Sequence, residues 1–362
     1  MSEVLAQAQR LFHFDADVPG TKGLPPAPTA DERRHAVDFR GNPACPLFRY
    51  VGNDHAREKL AEYAFVALGR ANHCIRELAV FLSGPASVGK TSLIRLFAET
   101  VELPFAEVQP RSIENVNDLF GTVCQQFKEQ DLPIVAIRGS KHYRLPPCVI
   151  FVDEVHGLSQ RVVDALLKAC EGKDCTLVTE KGEVVDCRYV CWAIATTEAG
   201  DLFDAFESRF DEVRLNYYTR QELARIVKLN HPEWEDDLCA LVAKFQRLPR
   251  KLLRFAEGMK IAKDFAPHKS WETIAVEVAA RNGIDAHGML LKHLEILKAL
   301  KDKPVAKDRL PILIGVKKPE LEKKLMPVLL CSTADQPALV EVGSDGYRLT
   351  EAGHAEVNRR KK

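Results

Sequence analysis

Eight consecutive residues concentrate the clearest chemistry in the chain. Gly84-Pro85-Ala86-Ser87-Val88-Gly89-Lys90-Thr91 follows the pattern G-x-x-x-x-G-K-[ST]. The two glycines permit tight backbone turns, so the N–H groups of the loop converge on phosphate oxygens. Lys90 has the reach for the β- and γ-phosphates, and Thr91 offers a hydroxyl to Mg²⁺. Ser92 extends the phosphate-binding set into the helix that must follow. ATP or ADP with Mg²⁺ is the ligand this pattern implies.

A second signal is an apolar run that ends in two acids, Val149-Ile150-Phe151-Val152-Asp153-Glu154. Mg²⁺ keeps several waters and binds through one or two carboxylates, which suits Asp153 beside Thr91. Glu154 is placed to orient and deprotonate an attacking water. Taken alone, two acids at the end of a strand are an ordinary exit to a loop. Next to a phosphate loop they read as the second half of a nucleotide site, because α/β ligands bind at the carboxyl ends of strands.

These residues need a scaffold of alternating strands and helices. Leu78 to Ser83, Cys148 to Val152 and Tyr189 to Ala195 are short continuous apolar runs, as expected of strands buried on both faces. Thr91 to Thr100 and Val162 to Cys170 carry helical spacing between them. That alternation predicts a parallel α/β sheet. From about Tyr217 the pattern turns helical, through Gln221–Leu229, Glu235–Phe245 and Pro249–Phe265. Leu290–Leu300 and Glu320–Leu330 follow, the latter interrupted by Pro327. Ala338–Val342 and Tyr347–Thr350 then flank Gly343-Ser344-Asp345-Gly346 as a hairpin, and helices followed by a hairpin suggest a winged helix. The expected domains are an extension over 1–40, an α/β P-loop domain over 41–215, a helical lid over 216–284 and a winged helix over 285–362. In the extension, Met1 to Phe12 suits a short helix and the prolines from Pro19 to Pro28 break regular structure.

Composition sets limits. With 362 residues, 46% hydrophobic and 28% charged, the chain is globular. Lys plus Arg and Asp plus Glu each number 51, so no blanket positive field announces a nucleic-acid binder. The segment from Asp285 onward has 15 basic against 11 acidic side chains, a local excess. No apolar run approaches the ~18 residues that span a bilayer, and a cytoplasmic, membrane-free protein is expected. Ten cysteines suit reduced, buried thiols; the spacing of Cys170, Cys175, Cys187 and Cys191 only loosely suggests zinc.

With these motifs in place, the chain resembles the AAA+ ATPases, and among them the RuvB-type Holliday-junction motors, from about Phe48 to Glu356. Phe48-Arg49-Tyr50-Val51-Gly52-Asn53 is similar to the adenine-side segment, with Tyr50, Val51 and Gly52 in the nucleotide set. Asp153-Glu154-Val155-His156 is similar to the acidic box. Ile194 to Gly200 resembles the sensor 1 strand, Thr196 and Thr197 being the polar pair toward the γ-phosphate. Ser208-Arg209-Phe210 resembles the arginine-finger segment, and Leu248-Pro249-Arg250 resembles sensor 2 of the lid. The resemblance implies a hexameric homo-oligomeric ring that couples ATP hydrolysis to DNA translocation, with Arg209 supplied to a neighbouring subunit. The hairpin over 176–185 resembles the one that precedes sensor 1 and implies a meeting point for a protein partner or the substrate.

Some residues depart from that pattern. Ser87 takes the place of a usual glycine, which is tolerable if its φ stays negative. The wing tip has Asp345, with only Arg348 following, where the family is rich in arginine. Arg138, Lys141, His142 and Arg144 form a small basic group that suits either a pore or a solvated loop. A nucleotide-dependent adaptor or protein-remodelling ATPase, or a clamp-loader-like subunit, therefore stands as the alternative to a DNA motor.

Overall fold

The computed structural model describes residues 29–69, 78–132, 134–136, 141–170, 175–197, 206 and 209–360. The expected helix over 1–12, the proline-rich stretch, Arg138, the 198–200 end of the sensor segment and Ser208 lie outside the described residues. The chain divides into two compact units, up to Leu215 and from Asn216 onward.

In the first unit, helices α1 (Ala30–Val37) and α2 (Asp54–Leu68) lead to β1 (Ala79–Ser83) and α3 (Lys90–Thr100). Next come β2 (Phe105–Val108), α4 (Val116–Glu129), β3 (Val135–Ala136), β4 (His142–Arg144), β5 (Cys148–Val152) and α5 (Gln160–Cys170). The unit ends with β6 (Thr176–Val178), β7 (Val184–Asp186), β8 (Val190–Thr196) and β9 (Asp211–Arg214). Five strands form a parallel sheet in the order β2-β5-β8-β1-β9. The middle strands β5 and β8 are buried along their whole length, which is why their sequences run apolar without alternation.

The order matters more than the strands themselves. β8 lies between β1 and β5, with Ser83 opposite Thr196 and Val152 opposite Ile194. The three segments carrying polar residues therefore leave the sheet at one rim, side by side. Helix α4 starts at a capping box in which Asn115 and Asp118 exchange side-chain and backbone hydrogen bonds. Its Leu119, Val123 and Phe127 join Val108, Ile150 and Trp192 in the core on that side of the sheet.

A second, smaller sheet has the order β3-β4-β7-β6. The expected hairpin is its β6–β7 pair, antiparallel from Thr176↔Asp186 to Val178↔Val184, with Gly182 at φ +72° in the turn. Two described members of the expected basic group are engaged. Arg144 is ion-paired with Asp186 at 3.0 Å, and Lys141 donates to the carbonyl of Lys181 at 2.7 Å.

The second unit opens with four helices, α6 (Arg220–Asn230), α7 (Asp236–Ala243), α8 (Pro249–Phe265) and α9 (Trp271–Arg281). Helix α9 was not anticipated, because its apolar positions are mostly alanine and valine. Helix α10 (Leu291–Ala299) follows, then a helical stretch from Lys318 to Leu330. Pro327 does not break that stretch. It occupies the first turn of its last segment, where a missing N–H costs nothing, and a π-helical turn over Leu321–Leu325 precedes it. Strands β10 (Val340–Gly343) and β11 (Gly346–Leu349) form the C-terminal hairpin, and α11 (Glu351–Arg359) closes the unit. Val340, Tyr347 and Leu349 pack with Ile296, Leu310, Leu325 and Met326 in a core of their own.

Candidate functional site

The loop between β1 and α3 is built from backbone conformations that few residues accept. Gly84 has φ +140°, and a Cβ there would meet the carbonyl oxygen of Leu215 at 2.4 Å. Gly89 has φ +88° and caps α3. Ser87 corrects the expectation of a negative φ. It stands at +66°, a left-handed conformation that a side chain disfavours. Such strain persists where the surroundings over-determine it, as loops at binding sites do.

Lys90 is buried, and its Nζ donates to the carbonyls of Gly84 at 3.0 Å and Pro85 at 3.1 Å. Burial lowers its pKa, against the pull of Glu154 and Asp153. The ammonium thus lies folded under its own loop, with carbonyl partners that a phosphate can replace. Val88 is buried, Ala86 is exposed, and Ser92 is exposed on the first turn of α3. Thr91 Oγ1 lies 3.4 Å from Asp153 Oδ2, a hydroxyl and a carboxylate oxygen on one side of the loop. That donor set suits Mg²⁺, a hard cation that takes a few protein oxygens and fills its shell with water and phosphate. Burial and the neighbouring Glu154 raise the Asp153 pKa, while Lys90 opposes them. A bound cation would favour the ionised form for the same reason that Lys90 does.

Beyond Asp153 the chain turns through a left-handed residue, Glu154 at φ +56°. This turn swings the Glu154 carboxylate toward the end of β8. Its Oε2 accepts from the Thr197 N–H at 3.1 Å and from Thr197 Oγ1 at 2.9 Å. His156 Nδ1 lies 3.3 Å from the same oxygen and 2.9 Å from Thr196 Oγ1. The acid at one strand end is therefore bonded directly to the threonines at the next. A carboxylate held this way can report on, or be released by, whatever binds the threonines.

Tyr50 closes the other side of the loop. Its hydroxyl donates to the Val88 carbonyl at 2.8 Å, and its own carbonyl accepts from Arg57 Nη1 at 2.6 Å. Val51 and Gly52 are buried behind it, Gly52 with φ +70°. Sequence reasoning missed Arg57 as a site residue and placed His156 in the acidic box without giving it a role. Arg57 sits 4.3 Å over the Phe39 ring and pairs with Asp54, which anchors the Tyr50 backbone, yet in sequence it is one arginine among many.

The structure thus brings Tyr50, the 84–91 loop, Asp153, Glu154, Thr196 and Thr197 to one end of the sheet. Arg209 is exposed on the turn that leads into β9. Arg250 belongs to the second unit, where it is exposed on the first turn of α8 behind Pro249. Among the described residues no group of three or more His, Cys, Asp or Glu side chains is arranged to hold a metal, Cys170, Cys175, Cys187 and Cys191 included. Burial instead raises the pKa of Cys148 and Cys187, as for packed thiols. No described helix is long and apolar enough to cross a membrane.

Comparison with known proteins converges on one group. The model of the ATPase family associated with various cellular activities (AAA) matches residues 80–217. The Holliday junction branch migration complex subunit RuvB of Campylobacter hominis is 28% identical over 303 residues, 78% of this chain and 82% of that protein. RuvB of Campylobacter lari is 25% identical over 302 residues, with 78% and 82% covered. The solved Thermotoga maritima RuvB Holliday junction branch migration motor shares the fold, at a TM-score of 0.64 and 22% identity over 85% of this chain and 95% of that one. The site geometry and these similarities together mark residues 80–217 as an AAA-type ATPase region in a chain similar to the RuvB proteins over most of its length.

Proposed function

We propose that the chain is a DNA motor of the branch-migration type, which assembles as a homo-oligomeric, hexameric ring and couples ATP hydrolysis to movement of DNA in the cytoplasm. One observation carries this reading: the phosphate loop, the Asp153-Glu154 pair and the Thr196-Thr197 pair end three adjacent parallel strands in a chain similar to RuvB over most of its length. In this reading Lys90 binds the β- and γ-phosphates. Thr91 and Asp153 would hold Mg²⁺, which would supply positive charge beside the phosphates. Glu154 positions the attacking water, and Thr196 and Thr197 sense the γ-phosphate. Tyr50, Val51 and Gly52 border the adenine. Arg209 acts on the nucleotide of a neighbouring subunit, and Arg250 couples a lid over 216–284 to its own. Residues 285–362 serve as a winged helix.

The wing favours a second reading, a nucleotide-dependent adaptor that grips a protein. Arg348 is ion-paired with Glu341 at 2.7 Å, and Asp345 lies at the turn, so the hairpin offers DNA little net positive charge. Val178, on the 176–185 hairpin, is more than half exposed and gives a protein an apolar foothold. ATPase activity measured with no DNA, duplex, single strands and a four-way junction tests the choice. A motor is stimulated by DNA, most by the junction, and the effect weakens with salt. Turnover indifferent to every DNA at low salt would leave the adaptor reading.

A further inference from the structure

Within the second unit lies a cavity of about 440 Å³, in the size range of small-molecule sites. None of its lining residues belongs to the first unit, and the ATPase reading uses none of its polar groups. Its floor holds two buried acceptors. His293, on α10, is 4% exposed; its Nε2 finds no protein partner, and its ring lies against the backbone of Leu325. Gln336 is 7% exposed, and its Oε1 is likewise unpartnered. A buried acceptor without a donor costs about 1–3 kcal/mol, so two on one cavity wall mark a place for a ligand with N–H or O–H groups.

The wall is also cationic. Arg247, Lys251 and Lys324 line the cavity and, among the described residues, form no ion pair. Arg247 donates from Nη1 to the Val328 carbonyl at 3.2 Å. Burial first, and then the nearby Arg220, lower its pKa, while Cys331, Asp335 and Glu356 oppose them. Two carboxylates line the cavity as well, and both are engaged. Asp335 accepts from the Arg220 N–H and from Thr333 Oγ1, each at 2.8 Å. Glu356 is taken by Arg359 at 2.8 Å and Arg360 at 2.6 Å. Apolar walls from Phe245, Leu290 and Leu339 complete the enclosure.

We propose that this cavity binds a phosphorylated small molecule of nucleotide size, its phosphate on Arg247, Lys251 and Lys324 and its N–H or O–H donors on His293 and Gln336. Such a ligand would tie the helices before Asn282 to the C-terminal hairpin and its helices. It would give the second unit a nucleotide response separate from hydrolysis.

The test uses the full chain carrying Lys90→Ala, which disables the phosphate loop, with ADP and adenosine as probes. Hydrogen exchange locates the binding, and calorimetry measures it. ADP should protect amides over 244–251 and 325–329, and adenosine should not. Adding Lys251→Gln and Lys324→Gln should weaken ADP at least tenfold. Both lysines are exposed, so these changes spare the core. No ADP-dependent protection of those segments at millimolar concentration would overturn the proposal. So would protection that persists in the lysine variant, or equal binding of adenosine.

Discussion

His293 should make the second unit acid-labile within a narrow window. Its imidazole is buried on α10, close to Arg247 of the loop before α8 and Lys251 of the first turn of α8, with Lys324, Glu356 and Arg360 on the same cavity. Burial first, and then the charges of Arg247 and Lys251, push its pKa down to about 4 from 6.5. The sign follows from where the proton goes. Above pH 6.5 neither state binds it, and the folded form has no penalty. As the pH falls from 6.5 toward 4, the unfolded chain takes a proton that the folded chain refuses, so stability is lost. A displacement of that size corresponds to about 3 kcal/mol in full, of which about 2 kcal/mol is already lost at pH 5. Exchange protection of the α10 amides, followed from pH 7.5 to pH 4.5 in wild type and in His293→Leu, isolates the term. The variant begins less stable, because it leaves a polar group near Leu325 without its partner. Its pH profile, however, should be flatter by about 2 kcal/mol between pH 7.5 and pH 5. Parallel profiles would refute the reasoning, since they would mean that His293 titrates alike in both states.

The proposed catalytic roles make further predictions. Glu154→Gln should bind ATP normally and lose turnover by at least about a hundredfold, the usual size of a lost general base; full activity in single-turnover assays would remove Glu154 from that role. Arg209→Ala should be inactive alone yet recover part of its turnover when mixed with Lys90→Ala, since some interfaces then pair an intact loop with an intact arginine. A mixture of exchanging subunits that shows no recovery would count against an arginine acting between subunits. Ser87→Gly should relieve a left-handed side chain, raising stability by about 1 kcal/mol and the melting temperature of its unit by ~2–4 °C. An unchanged or lower melting temperature would show that the loop holds Ser87 without strain.

Much of the nucleotide site was legible because its chemistry is local. A phosphate loop must put two glycines, a lysine and a hydroxyl within eight residues, and a strand that ends in acids carries both its burial and its charge in one run. Gly84 illustrates the point, since the contact with Leu215 that forbids a Cβ leaves its trace as a glycine in the pattern. Ser87 shows the limit. Its residue type said only that a side chain was present, and the sign of φ was set by how the loop closes against Tyr50 and α3.

The sequence by itself determined which residues could handle phosphate, that strands and helices alternate up to about residue 215, and that helices and a hairpin follow. Only the tertiary structure decided that β8 lies between β1 and β5, and so that Thr197 bonds Glu154 across 43 positions of the chain. It also decided that Arg144 is spent on Asp186 and that His293, an unremarked histidine, is buried beside cations. The physical reason is one of range. Turn geometry and burial along a strand are written in neighbouring residues, whereas strand order, ion-pair partners and cavity walls depend on which distant segments the packed core brings together.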